Sequence, residues 1–157
     1  MAIHFEQSHL FAGVGIQTAY DVVRPAPLPQ VFANRSGPLP PVTEVTEQVG
    51  EWGTAIGQTR CIHLSDGGTT FETLTSLDAP RSFGYELSQI TGPLKLIVSG
   101  LRGRWSFAEE SGGTRVAWSW EVEPRSPLTV PVVLVLRAFW KPYAAKALVA
   151  CDQMVPR

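Results

Sequence analysis

Cysteine is scarce in this 157-residue chain, which holds only Cys61 and Cys151, ninety positions apart. They form no CxxC pair and no metal-ligand spacing, which excludes a zinc ribbon and a disulfide scaffold. Both lie among apolar neighbours, where a reduced thiol packs as a small hydrophobe. An excess of positive charge is also lacking. Thirteen Lys and Arg face fourteen Asp and Glu, a net charge of −1. A broadly basic nucleic-acid surface is thereby excluded, since phosphate contacts need clustered cations. No long apolar run is present either. The stretch Leu128–Leu136 meets Arg137, Lys141 and Lys146 too soon to span a bilayer. The first residues, Met1-Ala2-Ile3-His4-Phe5-Glu6, show no basic region followed by an apolar one, so no secretory signal is read. Internal repeats and low-complexity tracts are missing. The expectation is a cytoplasmic protein with no nucleic-acid partner and no stable membrane insertion.

What is there is apolar and aromatic. Hydrophobic residues make up 44% of the chain and five are tryptophan. A domain of this size buries roughly 70% of its unfolded surface, enough to hold a core and still enclose a cavity. Residues 1–12 show no clean period and read as an N-terminal extension or an irregular first strand. Gly15–Val23 is β-branched and aromatic, which predicts a strand. Leu28, Val31 and Phe32 fall at helical spacing behind Pro25, Pro27 and Pro29, and predict a helix of two turns. The proline-rich run from Arg35 to Pro41 ends it.

A β meander follows. Strands are predicted over Val42–Trp52, Thr59–Leu64, Thr69–Leu77, Arg81–Ile90, Leu94–Phe107 and Thr114–Glu123. Turn signals at Ser65-Asp66-Gly67-Gly68, Asp78-Ala79-Pro80, Thr91-Gly92-Pro93 and Ser111-Gly112-Gly113 separate most of them. A break is expected at Gly100 or Gly103. The period then changes. Val132, Val133, Leu136, Phe139, Trp140 and Tyr143, followed by Ala147, Leu148 and Cys151, recur at helical spacing over Val130–Met154. Pro142 should bend that helix in the turn before it, and the bend is a candidate gate for a cavity mouth.

The stretches Gly57-Gln58-Thr59-Arg60, Leu64–Gly68 with Phe71-Glu72, Ala79-Pro80-Arg81-Ser82-Phe83-Gly84-Tyr85 and Gly113–Trp118 stand in an order that resembles the START-like (SRPBCC) helix-grip superfamily. The likeness is strongest to its polyketide cyclase/dehydratase-like bacterial branch. Lipid-transfer START domains and plant pathogenesis-related allergens are relatives. The resemblance covers residues 13–154 and implies one ligand-binding domain of the α+β class. Its curved antiparallel sheet of six to seven strands would wrap round one long C-terminal helix, with short helical segments after strand 1. The proline-rich stretch at 37–41 departs from the usual second short helix. The fold implies a hydrophobic cavity between sheet and helix. Phe83, Trp105, Phe107, Trp118 and Trp120 on the sheet would line it, opposite Leu136, Phe139, Trp140 and Tyr143 on the helix. The alternative is that these aromatics simply fill a core.

Three polar groups are candidates for chemistry. A three-residue Asp-Gly-Gly loop pairs Ile62 with Glu72 and makes Arg60 a diagonal neighbour of Glu72 on one face. Facing inward, Arg60 would hold a carboxylate or polarise a carbonyl, while Glu72 orients it or takes a proton. In the aromatase/cyclase relatives an inward arginine and a tyrosine play such roles, which points to Arg60 and Tyr85 here. The competing reading is a cross-strand ion pair. His63 beside Cys61 lacks an orienting group, and His4, Glu6 and His9 lack a metal-binding order, so no metal is expected. The glycine-rich turns join strand to strand and not strand to helix, so no nucleotide or other cofactor is expected. Arg102, Arg104 and Arg115 read as a solvated outer face.

Three functions compete. The first is binding of a lipid- or polyketide-like small molecule, in a monomer or a homodimer. The second is a polyketide cyclase/dehydratase using Arg60 with Tyr85 or Glu72. The third is an interaction module related to chaperone activators, which predicts an exposed apolar patch and a poorly open cavity.

Overall fold

A computed structural model describes all 157 residues. Strand β1 (Ile3–Ala12) is followed by helices α1 (Ile16–Val23) and α2 (Leu28–Val31). Strands β2 (Val42–Thr46), β3 (Thr59–Leu64), β4 (Thr69–Asp78), β5 (Ser82–Ser88), β6 (Val98–Glu110) and β7 (Gly113–Pro124) lead to helix α3 (Val130–Gln153). All seven strands form one antiparallel sheet in the order β1-β7-β6-β5-β4-β3-β2. This is the helix-grip α+β architecture.

Several elements differ from the sequence expectation. The first twelve residues are no extension: β1 is regular and pairs with β7 from Ile3–Val122 to Ala12–Gly113. The segment after Gly15 is a helix, not a strand. Ala19, Tyr20 and Val23 are buried and Ile16 packs against the same core, so a helical stripe overrides the local β propensity. Tyr20 meets Phe107 edge-on at 5.3 Å between centroids. Strand β2 stops at Thr46, short of Trp52, because Glu47 takes a left-handed conformation (φ 60°). The chain then folds back through residues 47–58. Gln58 pins that loop, its Oε1 accepting from the Gly53 amide (2.9 Å) and its Nε2 donating to the Glu51 carbonyl (2.9 Å).

Residues Pro93–Leu96 form a short 3-10 turn before β6, and the ladder slips between Val98 and Gly100. Gly103 makes no break. It lies opposite Tyr85, and a Cβ there would sit 2.0 Å from the Tyr85 ring. The glycine is what lets the tyrosine lie flat across the strand.

Helix α3 runs through Pro142 and buries Val133, Leu136, Trp140, Tyr143, Ala147, Leu148 and Cys151. Val132 and Phe139 fall on its flank, 48% and 40% exposed. The helix packs chiefly on β1 and β7, at one side of the sheet. No helix is long and apolar enough to cross a membrane.

Candidate ligand cavity

Because α3 covers the β1–β7 side, the inner face of β3, β4 and β5 is left without a helix against it. A cavity of about 340 Å³ opens there, with 18 hydrophobic residues among the 26 that line it. That volume is near the lower end for small-molecule pockets. Pro38, Asp66, Thr91, Pro93, Val132 and Val135 are its exposed lining residues and form the mouth. Its buried walls come from the sheet, from α3 and from the segment between α2 and β2.

Strand alternation fixes the floor. Arg60 and Ile62 on β3 and Thr70 and Glu72 on β4 all point inward. The hairpin turn is two residues wider than expected, so His63 pairs with Thr69 and Arg60 stands directly opposite Glu72. A shift of two keeps every side chain on its face. The diagonal pair becomes a cross-strand pair.

Both Nε and Nη2 of Arg60 donate to the same Glu72 oxygen, Oε2, at 3.1 and 2.9 Å. The side chains are only 7% and 4% exposed. The Trp52 ring lies behind the guanidinium, with Cζ 3.9 Å from its centroid, a cation–π contact. Arg24 donates to the Trp52 carbonyl and ties that loop to α1. Arg60 Nη1 and Glu72 Oε1 have no protein partner, and neither is sealed from solvent-sized space. Both residues line the cavity. Burial raises the Glu72 pKa, and the adjacent guanidinium opposes that rise.

Tyr85 completes the floor. Its hydroxyl oxygen accepts from Trp118 Nε1 (2.8 Å) and Trp120 Nε1 (3.1 Å). Burial, with the Glu72 charge second, raises its pKa, so the phenol stays neutral. Its O–H proton has no acceptor in the protein and is free for a ligand. The Tyr143 hydroxyl is already spent on the Pro40 carbonyl at 3.0 Å.

Phe83, Trp105, Trp118, Trp120, Leu136 and Tyr143 all line the cavity. Three of the expected residues do not. Phe107 packs beneath α1 against Tyr20. Trp140 is fully buried behind Trp118, 4.8 Å between centroids, on the solid side of the molecule. Phe139 turns outward over Gly37, where a Cβ would be 2.4 Å from its ring. Trp52 carries no signal of its place, because nothing in a loop sequence says which strand it will fold under. Ile62 and Thr70 were recoverable from alternation with Arg60 and Glu72.

The remaining polar candidates lie elsewhere. His63 bonds Thr46 Oγ1 (2.8 Å) on the outer face. His4 contacts Glu121 and Glu6, and His9 contacts Asp152 at 2.9 Å. No group of three or more potential ligands could hold a metal ion. Arg115 pairs with Glu110, Arg104 bonds Ser82, and Arg102 lies between Glu86 and Glu121.

A family model described as polyketide cyclase / dehydrase and lipid transport matches residues 2–155. The chain belongs to this family. Solved structures agree on the fold at low identity. Ginseng major latex-like protein 151 from Panax ginseng superposes with a TM-score of 0.71 at 11% identity, over 100% of this chain and 99% of that one. The di-domain ARO/CYC BexL from the BE-7585A biosynthetic pathway gives 0.70 at 19% identity, over 99% of this chain and 50% of BexL. The XoxI protein from Bacillus cereus gives 0.62 at 18%, over 99% and 96%. No protein of curated function matches the sequence.

Proposed function

We propose that this family member binds a hydrophobic small molecule, lipid- or polyketide-like, between its sheet and α3. The observation that carries the reading is a buried polar floor of Arg60, Glu72 and Tyr85 in a mainly apolar cavity. Apolar walls supply affinity, and the few polar groups fix orientation. The open cavity favours this reading over an interaction module. Two buried, unpaired cysteines fit a cytoplasmic location.

A cyclase or dehydratase is the second reading, favoured by the free Arg60 Nη1 and the unclaimed Tyr85 O–H. In it Arg60 polarises a carbonyl while Tyr85 or Glu72 moves a proton. Both readings need an occupied cavity. Native mass spectrometry of the purified protein, with titration of the neutral dye N-phenyl-1-naphthylamine, tests it. Stoichiometric uptake that is lost in Leu136→Trp, which fills the cavity, is the expected result. Absence of any uptake by the folded protein rejects both readings.

A further inference from the structure

The charge balance of the cavity floor restricts what can sit on it. Arg60 is the only cation lining the cavity, and Glu72 already neutralises it at 2.9 Å. An incoming anion would therefore add an unmatched charge to a buried, apolar site, and Asp66 at the mouth adds a second negative group. A cation gains nothing at the floor, where Glu72 is itself matched, and the one unpaired carboxylate, Asp66, lies at the exposed mouth. What the floor leaves open is directional and uncharged. Arg60 Nη1 and the Tyr85 O–H are donors without partners, and Glu72 Oε1 is an acceptor without one.

We infer that the floor selects an uncharged head group that presents a hydrogen-bond acceptor beside a donor. Carboxamides, hydroxy-ketones and enolised 1,3-dicarbonyls have this chemistry, whereas ionised fatty acids and phosphate monoesters do not. The carbonyl oxygen receives Arg60 Nη1 and the neighbouring N–H or O–H donates to Glu72 Oε1, while the Tyr85 hydroxyl, lying over Gly103 on β6, offers a donor to a second acceptor further along the ligand. The body of the ligand lies against Trp105 and Trp118, whose rings stack at 5.4 Å. Flat unsaturated skeletons match that wall. The inference rests on the binding reading above and names the ligand class for the same cavity.

Isosteric probes separate the terms. 2-Naphthamide, 2-naphthoate, 2-acetonaphthone and naphthalene share one ring system and differ only in the head. Their affinities at neutral pH are measured by displacement of the neutral dye and by calorimetry. The amide should bind at least tenfold tighter than the carboxylate, with the ketone intermediate because it cannot donate to Glu72. In Glu72→Gln, Arg60 is no longer neutralised and the order of amide and carboxylate should reverse. A carboxylate within threefold of the amide in the wild-type protein overturns the inference, as does an unchanged order in a folded Glu72→Gln. If that variant does not fold, the gap between amide and ketone in the wild-type protein still tests the acceptor at Glu72. Failure of all four compounds in a protein that takes up the dye overturns the inference alone, whereas failure of the dye as well rejects the binding reading itself.

Discussion

The two halves of the interior are built differently. On the β1–β7 side, Phe5, Val116, Val122, Val133, Trp140 and Leu148 expose none of their surface. On the β3–β5 side, Ile62, Tyr85 and Leu87 each keep 6–9% exposed, and all three border the cavity. The first half is sealed from solvent, as a filled core is. The second forgoes part of its packing contacts in order to remain hollow. Helix α3 decides which half is which, because it lies over β1 and β7 and leaves the other strands uncovered. A small domain can keep a void when the stabilising contacts are concentrated elsewhere. Packing stability is therefore concentrated in one half and ligand selection in the other, and substitutions should separate them.

Matched leucine truncations make the strongest test. Leu148→Ala leaves a new hole in filled core and should cost about 4 kcal/mol, toward the upper part of the range for such changes. Leu87→Ala should cost about 2 kcal/mol, because its side chain already borders empty space and gives up fewer contacts. Urea unfolding followed by tryptophan fluorescence measures both. Equal costs would mean that the two halves are packed alike.

The buried ion pair comes next. Glu72→Leu strands the Arg60 charge and should cost about 3 kcal/mol, the lower end for such losses because the cavity admits water. Adding Arg60→Met should recover most of that loss in the double variant. A double variant less stable than the single one would show the pair to be a structural necessity of the hollow half. A pH series sharpens the same point. The folded Glu72 pKa is raised above its ordinary value of 4.5, with burial as the main cause. Between those two values the native state keeps a proton that the unfolded chain has released. Its contribution is therefore complete below about pH 4.5 and declines as pH rises through the folded value. Glu72→Gln should remove that decline, read as a flatter plot of unfolding free energy against pH.

The two halves also differ in how far they were legible. Val116, Trp118, Trp120 and Val122 alternate cleanly, so β7 and its buried face could be read directly. Arg60 and Glu72 could be placed on one face by counting through the hairpin, although their register needed the turn geometry. Helix α1 was legible too, since Ile16, Ala19, Tyr20 and Val23 stand at i, i+3, i+4 and i+7, but the β-branched and aromatic residues of the segment favour a strand reading when propensity is weighed above period. The hollowness, by contrast, was hidden. Aromatic residues on an inner face fit a filled core and a cavity alike, and the choice depends on where α3 lands. Phe139 and Trp140 are adjacent in sequence, yet one covers Gly37 at the surface and the other is fully buried. A one-residue step along a helix turns a side chain through about 100°, and flank positions are where such readings fail.

The smallest effect is expected on the outer face of the solid half, where His4 contacts Glu121 across β1 and β7 and Glu6 at 3.2 Å along β1. This pair is the exposed counterpart of Arg60–Glu72, since the His4 side chain is 52% exposed. The Glu121 hydrogen bond is the main cause of a raised His4 pKa, opposed by burial and aided by Glu6. The imidazolium is thus favoured in the folded state. Its stabilisation is fully present below the unfolded value of 6.5 and is lost as pH rises through the folded one. His4→Gln should flatten stability across that window by only about 0.2–1 kcal/mol, the range for exposed pairs. About 0.5 M salt should shrink the effect further, because exposed charges are screened. The Arg60–Glu72 cycle should hardly respond to the same salt. If both pairs weaken together, the cavity floor is wetter than its burial implies, and its selectivity against charged head groups should weaken with it.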